Sequence, residues 1–200
     1  MEVIYSGDKN SNIILVQPVM ETGSVPAIPG RDFLHIALKV DDWNAELSPW
    51  KADPVYKNKG FDGKAEETFR FMMDIVQPFL GGERHLYLGG YSLAGLYALW
   101  AAGKTEVFTG VAAVSPSVWF PGFREYLAET GVKTGHVYLS LGKKESHNRN
   151  PLLAGVADAI LEVKNELTKQ GVTCTFEWNE GNHFTDPDIR MNKGFTALIN

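Results

Sequence analysis

One cysteine, Cys174, excludes an internal disulfide and a cysteine-based zinc cluster from this 200-residue chain. Its setting, VTCTFEW, reads as a strand, where a free thiol is an ordinary buried side chain. Basic residues are fewer than acidic ones, 19 against 24, and they form no stripe or tail. Nucleic acid, whose phosphates attract clustered cations, is therefore not an expected partner. A polybasic contact with a membrane surface is equally unsupported. No run approaches the ~20 apolar residues that a membrane span needs. The opening MEVIYSGDKN lacks the basic start and apolar stretch of a signal peptide. The expectation is a soluble, cytoplasmic chain, a monomer or small homo-oligomer.

Apolar residues are plentiful, at 44% hydrophobic, so a substantial core is within reach. The length suits one domain over residues 1–200. Short apolar runs predict strands at Ile13–Val19, Phe33–Val40, Leu86–Gly89, in VFTGVAAVS, in HVYLSLG and in VTCTFEWNEG. Between them lie helical patterns. KAEETFRFMMDIVQPFL sets Phe69, Met72, Met73 and Val76 at helical spacing, and Leu93–Gly103 and GFREYLAET follow. Pro151–Gln170 reads as one long helix, and Pro187–Ile199 as a closing helix with Asp186 as its N-cap. Six apolar strands interleaved with helices imply an α/β fold, a mostly parallel twisted sheet with helices on both faces in three layers. Ligands then belong beyond the carboxyl ends of the strands. Residues 41–63 read as an irregular stretch long enough for a lid or pocket wall.

The segment HLYLGGYSLAGLYALWAAGK leaves a strand, turns sharply through one serine, and enters a helix apolar almost all round. Small residues here serve close packing of helix on sheet, and Ser92 as a helix cap would be unremarked. The same strand–turn–helix context is also what a nucleophile elbow requires. There the serine is strained, and its neighbours two positions away must be small. Gly90 fits, while Ala94 stands where a glycine is usual. The N–H of Leu93, at the helix start, is then the expected donor to an oxyanion.

A serine hydroxyl needs a base. His35, His85 and His136 fall inside or at the starts of strands, away from the catalytic edge, and His147 comes too early in the chain. His183 follows the last strand and precedes the last helix, the position from which an imidazole reaches Ser92. Glu145 is the one carboxylate in KKESHNRNP, the loop after HVYLSLG, and is the first choice to orient that imidazole. Asp186 and Asp188 are its rivals, although both also suit the start of the closing helix.

With these residues in place the chain resembles the α/β-hydrolase fold. Within it, the resemblance is to the esterase group of ferric-enterobactin esterases, feruloyl esterases and S-formylglutathione hydrolases. It is carried by WNAELSPW, GGYSLAGLYALW, SPSVWFPGF and GNHFTDPDIRMNKGF, and runs from about Ile13 to the C-terminus. The resemblance implies hydrolysis of a small-molecule ester through an acyl-serine intermediate, without cofactor or metal. Ser92 and His183 inherit nucleophile and base, and Glu145 the acid. A second oxyanion donor is implied in QPVMETG, where Pro18 has no N–H and Val19 is the choice. Trp43, Trp50, Trp119 and Phe120 are candidates for an aromatic pocket wall, the last two because they follow a strand at the catalytic edge. An acyltransferase or peptidase on the same residues, or a catalytically silent binding protein of this fold, are the alternatives.

Overall fold

Branched and aromatic runs alternate with stretches of helical spacing, so strands alternate with helices. In the computed structural model, which describes residues 1–20, 25–55 and 59–200, the chain opens with β1 (Glu2–Gly7), β2 (Ile13–Val19) and β3 (Leu34–Lys39). Next come α1 (Trp43–Glu46), β4 (Lys51–Ala52), β5 (Phe61–Asp62) and α2 (Ala65–Val76). Then follow β6 (His85–Tyr91), α3 (Leu93–Lys104), β7 (Gly110–Val114), α4 (Phe123–Thr130) and β8 (His136–Gly142). The chain closes with α5 (Pro151–Ala154), α6 (Val156–Lys169), β9 (Thr173–Asn179) and α7 (Pro187–Ile199).

Among the described residues, seven strands form one sheet in the order β1-β3-β2-β6-β7-β8-β9. β1 runs antiparallel to β3, and the remaining neighbours are parallel. Side chains alternate between two faces, as the pleat demands. Ile14, Ile36, Leu88, Val111 and Leu139 join the core beneath α2, α3, α4 and α6. Leu15, Tyr87, Ala112, Val114 and Tyr138 face the other way, against α7. Helix α3 is enclosed, with Leu93 through Ala102 all buried, which is why its sequence is apolar all round.

α7 lies close to the sheet because small residues meet it. A Cβ on Gly89 would stand 2.3 Å from Phe195 Cζ, and one on Gly194 would stand 3.1 Å from Ala112 Cβ. Phe195 is fully buried there, worth about 2–3 kcal/mol of apolar burial. That docking carries the first turn of α7, one turn before Gly194, to the carboxyl edge of the strands.

The secondary structure departs from the sequence expectations in four places. β1 carries no sequence expectation, because EVIYSG is half polar and none of its residues is fully buried, as an edge strand can be. Residues 41–63 are not simply irregular: they hold α1 and the small antiparallel pair β4 and β5, while residues 56–58 lie outside the described ones. The expected helix over 151–170 is two, α5 and α6, divided at Gly155, where ψ is 2°. Asp186 does not cap α7 with its side chain; it takes a left-handed conformation with φ 49°. Cys174 is a half-buried strand residue, and burial pushes its thiol up to about 11.

Candidate active site

Ser92 joins β6 to α3 with φ 60° and ψ −122°, a conformation L-residues rarely adopt. Its side chain makes no capping bond, so the helix-cap reading is set aside. The backbone itself holds the strain: the Ser92 N–H donates to Val114 O at 3.0 Å, and the Ser92 carbonyl accepts from Gly95, Leu96 and Ser117. The turn is tight enough that Gly90 is obligatory, whereas Ala94 fits fully buried.

The hydroxyl so raised meets an imidazole from the far end of the chain. His183 Nε2 lies 3.0 Å from Ser92 Oγ, and His183 Nδ1 lies 2.7 Å from Glu145 Oε2. His183 sits on the loop between β9 and α7, where Tyr91 donates its hydroxyl to the His183 carbonyl at 2.7 Å. Glu145, expected as one acid among three candidates, is brought to the imidazole; Asp186 and Asp188 are exposed at the start of α7. The flanking lysines of Glu145 suggest a solvated residue, but its side chain is only 4% exposed. The fold turns it inward because Gly142 N–H and Ser115 Oγ both donate to its Oε1, each at 2.7 Å. Burial alone raises a carboxyl pKa; here the bond and charge of His183, with the Ser115 and Gly142 donors, outweigh it and hold Glu145 below its usual range.

The three side chains open on a cavity of about 270 Å³. Trp43, Phe61 and Trp119 give it aromatic walls, Leu153 and Val156 an aliphatic side, and Lys59 a polar rim. Lys59 is ion-paired with Asp42, which leaves its charge matched. Leu93 lines the cavity as well, as the first residue of α3, with an N–H that no carbonyl of its own helix can reach.

Two expected wall residues are not on that surface. Trp50 turns away, donating its indole N–H to Pro121 O at 2.8 Å and packing against Phe120 and Tyr126 at 5.7 Å each. Phe120 is buried behind the wall, edge-on to Phe61 at 5.1 Å. A half-buried indole still finds a partner for its N–H, and the backbone carbonyl of Pro121 supplies it away from the cavity. Val19 does not line the cavity among the described residues. It ends β2 opposite Lys39, with its carbonyl accepting from the Val40 N–H. Residues 21–23 of the expected donor loop lie outside the described residues.

Several residues at the site carried no sequence expectation. Ser115 follows β7 directly, with φ 45°, a second serine in a strained conformation beside the first. Ser117 Oγ stands 3.5 Å from Ser92 Oγ. Phe184 is 86% exposed and meets the His183 ring edge-to-face. Arg190, on α7, is buried with Nη1 3.0 Å from Glu145 Oε1. Its signal was available: Arg190 falls in the stripe Arg190, Met191, Gly194, Phe195, Leu198 that α7 buries. A cation on an apolar stripe calls for a buried partner. Among the described residues there is no group of three His, Cys, Asp or Glu side chains suited to hold a metal ion. Nor is any helix among them long and apolar enough to cross a membrane.

No family model and no curated protein sequence matches the chain. Solved structures do. An IroE-like serine hydrolase from Shewanella oneidensis superposes with a TM-score of 0.74 at 16% identity, over 98% of this chain and 74% of that one. The chain has the α/β-hydrolase fold. The siderophore hydrolase EstA from Aspergillus nidulans gives a TM-score of 0.71 at 19% identity, over 98% of this chain and 88% of its own. The enterobactin esterase of Shigella flexneri gives 0.68 at 16% identity, over 98% of this chain and 54% of its own. In the α/β-hydrolase frame Ser92 holds the elbow between strand and helix, and His183 the loop after the last strand.

Proposed function

We propose that the protein is a serine hydrolase of carboxylic esters. The observation that carries this reading is the continuous chain of contacts from Ser92 Oγ through the His183 ring to Glu145, opening on an aromatic-walled cavity. The hydroxyl of Ser92 attacks the ester carbonyl while His183 Nε2 takes its proton. Glu145 keeps the Nδ1–H tautomer aimed away from the serine and stabilises the imidazolium as it forms. The negative charge arising on the carbonyl oxygen faces the Leu93 N–H at the start of α3, where helix and amide dipoles favour it. His183 then returns the proton to the leaving alcohol, and the acyl group stays on Ser92. A water activated by the same imidazole attacks the acyl-serine, and Ser92 is released with the acid.

The cavity supports a bulky or aryl acyl group, since Trp43, Phe61 and Trp119 offer flat apolar surface beside the nucleophile. The solved structures that share the fold include a siderophore hydrolase and an enterobactin esterase, and hydrolysis of an ester by this chain agrees with them. A fluorophosphonate probe tests the reading directly. The wild-type chain is expected to take up one equivalent at Ser92, Ser92→Ala none, and His183→Ala at a much reduced rate. Folded wild-type protein that stays unlabelled would defeat it.

A further inference from the structure

Among the described residues Arg190 is the largest fully enclosed side chain, and its only carboxylate partner is Glu145. A guanidinium taken out of water costs several kcal/mol unless charge and hydrogen bonds compensate it. Here they do, and the partners are informative. Nη1 lies within bonding distance of Glu145 Oε1, Ser115 Oγ and the Tyr91 hydroxyl, at 3.0, 3.2 and 3.2 Å. Nη2 donates to the Glu180 and Asn182 carbonyls at 2.6 and 2.9 Å. Those two carbonyls belong to the loop that carries His183. One planar group therefore ties together the acid's loop, the base's loop and the strand end beside the elbow.

The division of labour on Glu145 follows. Oε1 is saturated by Gly142 N–H, Ser115 Oγ and Arg190, while Oε2 is bonded to His183 Nδ1. We propose that Arg190 is a positioning residue whose guanidinium holds Glu145 and the His183 loop in register and partly offsets the charge of the carboxylate, so that the ring is kept with Nε2 facing Ser92 Oγ. This rests on the serine-hydrolase reading of Ser92 and His183. The other charged groups nearby are matched elsewhere: Glu180 turns its carboxylate to Lys143, and Lys193, one turn along α7, pairs with Glu177. Tyr91, Glu145 and His183 are the titratable groups that face the guanidinium.

The sign of the effect is fixed by Coulomb's law. A positive charge beside Glu145 makes the Glu145–His183 pair reluctant to accept a proton; without it the pair protonates at higher pH. In Arg190→Gln the acidic limb of kcat/KM for a p-nitrophenyl ester is expected to move up by about one pH unit. Activity at the plateau should fall about a hundredfold as the loop loses register. Arg190→Lys keeps the charge but cannot span both carbonyls, so its limb should stay near that of the wild type while its plateau falls. The far-downfield proton resonance of His183 Nδ1–H, followed against pH, reports the same midpoint without turnover.

If Arg190→Gln does not fold, Arg190→Gln with Glu145→Gln removes both buried charges together and restores balance. Losing Arg190 should then cost far less in the Glu145→Gln background than in the wild-type background. Unchanged midpoints in Arg190→Gln, or equal costs in both backgrounds, overturn the proposal. A wild-type chain that fails to label at Ser92 removes the hydrolase reading instead, and the resonance still decides whether Arg190 governs the pair.

Discussion

Gly90 and Ala94 approach so closely across the elbow that a Cβ on Gly90 would stand 2.1 Å from the Ala94 carbonyl oxygen. The contact is backbone against side chain, and no rotamer can relieve it. Gly90→Ala is expected to push Ser92 out of its φ 60° conformation or unfold the chain, at about 3 kcal/mol or more. The opposite change, Ala94→Gly, creates no clash and removes only a helix-favouring residue, for about 1 kcal/mol. Urea midpoints and probe labelling of both variants check the pair. A Gly90→Ala chain with wild-type stability and labelling would mean that the elbow is looser than its geometry.

The aromatic residues separate into two groups with different expected phenotypes. Trp119 lines the cavity, so Trp119→Ala should lose aryl-ester turnover about tenfold more than acetate-ester turnover. Trp50 is bonded to Pro121 and packed at a tilt against Phe120 behind the wall, so Trp50→Ala should lower stability and leave the ratio of the two substrates unchanged. The ratio of kcat/KM values for an aryl and an acetyl p-nitrophenyl ester reads the first effect, and a urea titration the second. Equal losses on both esters in Trp119→Ala would dispose of the aryl-pocket reading.

Long apolar runs made the central strands legible: Ile13–Val19 and HVYLSLG coincide with β2 and β8, because strands buried on both faces have no polar alternation to confuse them. Ser92 and His183 were legible for a topological reason, each standing where a strand ends and a helix begins. Glu145 was less so, since burial between Ser115, Gly142 and Arg190 is a property of three distant segments and leaves no mark on KKES. Trp50 and Phe120 show the limit of composition. A tryptophan near a catalytic edge satisfies its N–H wherever an acceptor lies, and Pro121 O lay outside the cavity. Val19 has only its position in the chain to recommend it, and the pairing of β2 with β3 that holds it opposite Lys39 leaves no mark on QPVMETG.

His35 supplies a pH dependence independent of the active site. It lies on β3 with its side chain enclosed and Nε2 unpartnered among the described residues, and burial lowers its pKa from 6.5 to about 4. The unfolded chain therefore binds a proton at His35 near pH 6.5, whereas the folded chain resists until about pH 4. Between those values the unfolded state holds more protons, so stability falls as pH falls. His136, also lowered by burial, acts in the same direction. Glu145 adds a second loss only below its ordinary value of 4.5, as the depressed carboxyl of the folded state is protonated in turn. Urea unfolding at pH 7 and pH 5 should thus differ by about 2 kcal/mol in the wild type, most of it from His35. His35→Leu removes the titrating group while keeping an apolar side chain on that face, and its two curves should lie much closer together. Identical slopes of stability against pH in the two proteins would show that the imidazole is solvated in the folded chain, and would move the acid sensitivity to the carboxylates.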